Sequence, residues 1–172
     1  MQRKSDIFCQ HYEKWKAIDY IIFENPAAYA LWNITPAVPG QALVIPKLHV
    51  EDIRELHGKD LQGFIHAIPE TFEAIQQIYQ QEPEYLYSFY STIISKSPTF
   101  FEEYEHDFRA KIQPTLEMIL RHQDLMIEPT AYNLGMNCGY NAGQRIAHIH
   151  LHLFPRRKPG LGVVTAMRKH LR

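Results

Sequence analysis

The sequence predicts an α+β fold, with mostly antiparallel strands toward both ends of the chain and helices grouped between them. Three observations carry that prediction. Short apolar runs separated by turn residues occupy the first part of the chain, apolar residues recur at threes and fours through its middle, and a strictly alternating segment lies near its end.

Taken in order, residues 20–24, 28–32 and 42–45 are short and apolar, and Asn25-Pro26 and the segment 36–40 supply turn chemistry between them. An antiparallel meander follows. From about 60 to 81, Leu61, Phe64, Ile65, Ile68, Phe72, Ile75 and Ile78 mark a helix. Pro69 falls inside it, and a residue without an amide proton predicts a break or kink there. Residues 83–101 are rich in Tyr, Phe and Ser without clean periodicity, and no element is assigned to them. A second helix is predicted over about 101–123 from Phe108, Ile112, Leu116, Ile119 and Leu120, with Pro114 as another kink. Residues 132–136 and 148–154 read as two closing strands joined by a Gly- and Asn-rich turn.

At 172 residues and 45% hydrophobic content, the chain is expected to form one domain spanning 1–172 around a substantial core. Its 18 Lys and Arg nearly cancel 19 Asp and Glu, so no global field draws it onto nucleic acid or an anionic membrane. An anionic ligand would need a local site. With no apolar leader and no apolar run of spanning length, the expectation is a soluble cytoplasmic protein. Cys9 and Cys138 are too few and too far apart for a disulfide framework and read as reduced thiols. The basic segment 158–172 reads as a solvated tail, or as an arm reaching the active site.

The segment His148-Ile149-His150-Leu151-His152-Leu153-Phe154 alternates polar and apolar residues. In a strand this places the three histidines on one face and Ile149, Leu151 and Leu153 on the other. A single histidine there would be an accident of a half-buried strand; the repeated alternation points to a site. One metal cannot easily collect all three, because strand residues at i and i+4 stand roughly 13 Å apart. His148 and His150 could share one only with a third ligand from elsewhere, which leaves a metal-dependent hydrolase as an alternative. Phosphorus chemistry uses the array differently. A neutral imidazole is a nucleophile at pH 7, and attack on a phosphoryl centre would form a nucleotidyl-histidine that water then cleaves. Before the strand, Asn137-Cys138-Gly139-Tyr140-Asn141-Ala142-Gly143-Gln144 offers glycines for close backbone approach and amides for neutral hydrogen bonding.

These residues carry a resemblance to the histidine-triad (HIT) superfamily: Asn137, Gly139, Ala142-Gly143-Gln144, His148, His150 and His152, followed by Pro155-Arg156. A second block, 31–49, with Asn33-Ile34-Thr35-Pro36 and Pro39-Gly40-Gln41-Ala42-Leu43-Val44-Ile45-Pro46-Lys47-Leu48-His49, is similar to the family's N-terminal strands, and Ile7-Phe8-Cys9 to its opening. The resemblance covers about 6–60 and 111–157 and leaves about 60–110 as an enlarged helical insertion. It implies a five-stranded antiparallel sheet, usually dimeric, that binds a nucleotide. His150 would be the nucleophile, His152 and Asn137 would contact the reacting phosphate, and His148 would hold the nucleophile in place. Gln144 closes the same catalytic group. Asn33 matches a ribose contact, and Ile7, Phe8, Leu31 and Ile34 match an apolar base pocket, positions that core packing would explain equally well.

The sequence departs from the family at three points. Gln41 stands where many relatives carry a histidine, and Arg145 follows Gln144 where Ser or Thr is common. An arginine cannot donate a proton at neutral pH but can stabilise a leaving phosphate by its charge, which favours polyphosphates over amines. Similar bacterial proteins bind a structural zinc through two cysteines, the histidine after Ile-Pro-Lys-x and the first triad histidine. Here Asp6 replaces the first cysteine while Cys9, His49 and His148 remain, a set that could still hold zinc tetrahedrally or could have lost the metal with its cysteine. The expected activity is hydrolysis or transfer at the α-phosphate of a nucleotide, such as a dinucleoside polyphosphate or phosphoramidate. No cofactor is expected for catalysis. A non-catalytic nucleotide-binding module is the second alternative.

Overall fold

A computed structural model describes residues 6–100, 106–160 and 162–163. The elements run α1 (Ile7–Lys16), β1 (Ile21–Glu24), β2 (Ala28–Trp32), β3 (Ala42–Pro46), α2 (Gly58–Gln81), α3 (Tyr85–Phe100), α4 (His106–Leu120), β4 (Ala131–Met136) and β5 (Leu151–Arg156). The five strands form one sheet in the order β1-β2-β3-β5-β4. Its first three strands are the expected meander, with Trp32 opposite Ala42 and Ala28 opposite Pro46. The last strand inserts beside β3, with Val44 opposite Leu151 and Leu43 opposite His152. This is the predicted α+β class. Asn25 makes the first turn: its side-chain oxygen accepts from the amides of Ala27 and Ala28, and its side-chain nitrogen donates to the Gly63 carbonyl of α2.

The chain divides into two compact units. The first comprises residues up to Asn33, Ala42–Gln77 and Leu134–Leu153, and its buried side chains include Phe8, Trp15, Tyr29, Trp32, Ile45, Phe64, Ile75 and Ile149. The second comprises Ile34–Gln41, Ile78–Asn133 and the residues from Phe154 on. Tyr79, Leu86, Tyr90, Ile93, Ile112, Leu116 and Ile119 are buried in it.

The structure corrects four expectations. Helix α1 was not anticipated, although its signal is present: Asp6 caps it by accepting from the amides of Phe8 and Cys9, and Phe8, His11 and Trp15 form its buried face. Segment 83–101 contains α3, whose buried Leu86, Tyr90 and Ile93 are helically spaced but hidden in the sequence among other aromatics. Neither Pro69 nor Pro114 interrupts its helix. Both prolines are exposed, as are Ile65 and Ala110 four residues before them, so water can reach the carbonyls that lose an amide donor. Finally, β5 starts at Leu151, three residues later than the alternation suggested, so His148 and His150 precede the ladder. Residues 101–105 of the predicted second helix, the Phe108 side chain and most of the basic 158–172 segment lie outside the described residues.

Candidate functional site

The histidines do not form a wet face. His148 and His150 are 1% and 8% exposed, and His152 is only half-buried. What covers them is α1, whose Phe8 ring lies 5.7 Å from that of His148 and 5.2 Å from that of His150. The backbone entering β5 is held in place by the Ile149 amide, which donates to the Val50 carbonyl at 2.8 Å.

Each histidine has a distinct environment. His148 Nε2 sits 2.9 Å from the Pro46 carbonyl, to which it donates, and Nδ1 faces Asp6 and Cys9. His150 Nδ1 sits 2.9 Å from the His148 carbonyl, so Nδ1 carries the proton and the Nε2 lone pair is available. Burial, the largest influence, pushes the His150 pKa below the ordinary 6.5, against the raising effect of that hydrogen bond. His152, with its ring centroid 4.9 Å from that of His150, is pushed down to about 4 by burial and then by the charge of His150. The pair is therefore neutral at pH 7.

The turn before the strand is braced by Gln144. Its side-chain oxygen accepts from the Gly139 amide at 2.5 Å, and its nitrogen donates to the Glu51 carbonyl at 3.0 Å. Gly139 and Gly143, at φ of 90° and 86°, adopt backbone that other residues resist. Asn137 is half-buried, with Nδ2 near Gly143. Arg145 is exposed and lines a cavity of about 470 Å³ with Glu51, Asp52, Glu55, Gly139, Tyr140, Gln144 and Ala147. The carboxylates there were not anticipated from the sequence. They come from the segment after His49, which only the fold brings beside the turn.

Of the predicted base-pocket residues, Phe8 and Leu31 are buried at 3% and 2%, and Ile7 is half-buried. Ile34 is buried within the second unit and Asn33 is half-buried. Gln41, in the position of the missing histidine, is 2% exposed and accepts from the Ala37 amide at 2.7 Å, so it closes its own loop.

The four predicted metal ligands do converge. Ligand atoms of Asp6, Cys9, His49 and His148 all lie within 4.8 Å of one another. Cys9 Sγ is 3.6 Å from Nδ1 of both His49 and His148, and Asp6 Oδ2 is 2.7 Å and 3.2 Å from the same two nitrogens. Zinc bonds of about 2.0–2.3 Å in a tetrahedron require donor separations of roughly 3.3–3.8 Å, so the residues fit such an ion after a small widening at Asp6. Burial alone would raise the Asp6 pKa, but the His148 hydrogen bond and charge, with Cys9 and the Phe8 amide, hold it well below the carboxylate range. His150 is outside this cluster.

Comparison with known proteins agrees with this architecture. The HIT domain family model matches residues 16–159. The chain is 22% identical over 149 residues to Protein hit of Bacillus subtilis, covering 87% of this chain and 70% of that protein. It is 18% identical over 148 residues to the asymmetrical bis(5'-nucleosyl)-tetraphosphatase of Schizosaccharomyces pombe, covering 86% of this chain but only 55% of that enzyme. A HIT family protein from Bacillus anthracis superposes with a TM-score of 0.53 at 21% identity, over 96% of this chain and 86% of that one. That likeness shows the fold. Among the described residues no helix is long and apolar enough to cross a membrane. With the family model spanning most of its length and the histidine strand in place, the chain belongs to the HIT domain family.

Proposed function

We propose that this protein hydrolyses or transfers at the α-phosphate of a nucleotide through a covalent adduct on His150. The observation that carries the reading is the 2.9 Å contact between His150 Nδ1 and the His148 carbonyl. It assigns the proton to Nδ1 in a buried, neutral ring, and so leaves Nε2 with its lone pair. That lone pair forms a P–N bond as the bond from phosphorus to the leaving oxygen or nitrogen breaks, the electron pair departing with the leaving group. Water then attacks the adduct, the P–N bond breaks, and the imidazole is regenerated. His152 and Asn137 are assigned to the phosphate oxygens, and the backbone of the Gln144-braced turn to the same charge. Arg145 is assigned to the leaving group, and Asn33, Ile7, Phe8 and Leu31 to the nucleoside. The activity named for the Schizosaccharomyces pombe relative, cleavage of a dinucleoside tetraphosphate, supports an anhydride substrate.

Exclusion of His150 from the metal-ligand cluster favours this reading over a metal-dependent hydrolase. Asp6, Cys9, His49 and His148 would hold a zinc ion, and its contribution there is structural, tying α1 to the segment before β5. A homodimer and a cytoplasmic location belong to the same proposal and rest on the family resemblance. The test is to incubate the protein with a dinucleoside polyphosphate labelled at the α-phosphate, quench, and look for label on His150. A labelled peptide containing residue 150 is expected. Turnover without any adduct, or turnover abolished by chelator and restored by a catalytic metal, would overturn the reading.

A further inference from the structure

The cavity beside Arg145 shares Gly139 and Gln144 with the turn assigned to the phosphate, and Ala147 on its wall directly precedes His148. It lies wholly within the first unit. At about 470 Å³ it has room for a group far larger than an ammonia or a single phosphate. Three kinds of side chain line it. Tyr140 presents a ring that is 90% exposed, yet its backbone is fastened: the Gly143 amide donates to the Tyr140 carbonyl at 2.9 Å, and the Ala142 and Gln144 amides donate to the Gly139 carbonyl at 3.0 Å and 3.3 Å. A flat aromatic face is thus held at the rim with little packed on it. Arg145 brings a cation. The carboxylates are not equivalent. Asp52 is occupied, its two oxygens accepting from Arg54 Nε at 3.0 Å and Nη2 at 2.7 Å. Glu55 is oriented by the backbone, Oε1 accepting from the Asp52 amide at 2.8 Å, and a carboxylate so held keeps acceptor capacity for further donors.

With Asp52 paired to Arg54, Glu51 and Glu55 still outnumber Arg145 in the lining. A leaving group made of phosphate alone would gain from Arg145 and lose to the carboxylates. The group that fits brings phosphate for Arg145, a flat face for Tyr140 and N–H donors for Glu55 together. A guanine nucleotide does so. Guanine N1–H and N2–H lie side by side and meet one carboxylate with two parallel bonds, whereas adenine sets its N6 donor beside a ring acceptor that repels the same oxygens.

We propose that this cavity seats the leaving nucleotide and selects guanosine there: Tyr140 stacks on the base, Glu55 reads its donor edge and Arg145 holds the bridging phosphates. Binding stands on the cavity alone, and only the reaction step rests on the role proposed for His150. On a tetraphosphate carrying adenosine at one end and guanosine at the other, His150 attacks the α-phosphate on the adenosine side. The P–N bond forms as the P–O bond to guanosine triphosphate breaks, the electron pair leaving with GTP, and water then frees AMP.

Two measurements on the full chain separate the subsite from the chemistry. The first needs no turnover: with adenosine in excess to fill the apolar base pocket, GTP and ATP are each titrated into the protein by calorimetry. GTP is expected to bind about tenfold more tightly than ATP. Glu55→Gln keeps an acceptor for the Asp52 amide but should lose that preference. Tyr140→Ala should weaken both nucleotides about tenfold, because stacking tolerates either base, and Tyr140→Phe should restore them. The second measurement counts products from the mixed tetraphosphate. The ratio of GTP to ATP released should fall about tenfold from the parent to Glu55→Gln. Discrimination in binding without any turnover overturns the reaction at His150 and leaves the subsite standing. Equal affinity for GTP and ATP, or a binding preference and product ratio that survive Glu55→Gln, overturns the subsite.

Discussion

The ring of His150 hydrogen-bonds through Nδ1 to the backbone carbonyl of His148, two residues away at 2.9 Å, so the backbone itself chooses the tautomer of the proposed nucleophile. If Nε2 is the attacking atom, His150→Ala should lower kcat by about 10⁴-fold or more while leaving the fold intact, because the covalent adduct forms on that atom. Single-turnover assays with circular dichroism as the folding control check this. Retention of more than a few per cent of the activity would sink the mechanism.

The low pKa of His152 has a sign that can be tested. Its folded value of about 4 lies below the ordinary 6.5, so below pH 6.5 the unfolded state takes up a proton that the folded state refuses. The stabilisation is fully present above pH 6.5 and is lost as pH falls through about 4, amounting to about 3 kcal/mol at most. His150, shifted in the same direction, adds to it. Denaturant midpoints measured from pH 7 to pH 4 should fall, and His152→Gln should flatten the curve.

Gln144 spends both ends of its side chain on backbone groups, Gly139 on one side and Glu51 on the other. Gln144→Ala is expected to cost about 1 kcal/mol of stability and to lower kcat/KM more than tenfold, by loosening the phosphate turn. Gln144→Glu keeps the acceptor for Gly139 but loses the donor to Glu51, so it should fall between the two. Steady-state kinetics and thermal melts on the three proteins give the ranking.

Within the second unit, Arg157 gathers the chain by its guanidinium. It donates to the carbonyls of Ile127 and Pro39 and to the Tyr79 hydroxyl, which in turn donates to the Leu125 carbonyl. Arg157→Met should destabilise the protein by about 2 kcal/mol, since several acceptors lose a charged donor at once. Arg157→Lys should recover little of that, because an ammonium cannot reach the acceptors of a planar fork. Urea unfolding followed by tyrosine fluorescence measures both.

The strands were legible because their signals are local. Apolar runs at 28–32 and 42–45 sit between Asn25-Pro26 and proline- and glycine-containing turns, and β2 and β3 occupy nearly those limits. Helix α2 was legible for the same reason, through its periodic apolar face. Helices α1 and α3 were not read, because polar residues in one and additional aromatics in the other obscure a spacing that only burial brings out. Among site residues, the pattern around His150 pointed to nucleophilic chemistry, and the resemblance supplied Asp6, Cys9, His49 and His148 as a ligand set. Glu51, Asp52 and Glu55 beside Arg145 had no sequence signal, since nothing in 49–55 marks its proximity to 139–147.

By itself, then, the sequence determined the fold class, the family and the grouping of three histidines, because alternation and motif spacing are properties of neighbouring residues. Tertiary structure decided which histidine does what. His148 turns Nδ1 toward Asp6 and Cys9 because Pro46 holds its other nitrogen, His150 is covered by Phe8, and only His152 enters the ladder. The backbone carbonyls and the α1 ring that impose those differences come from other parts of the chain. Alternation can place side chains on a face, but what meets that face depends on long-range packing.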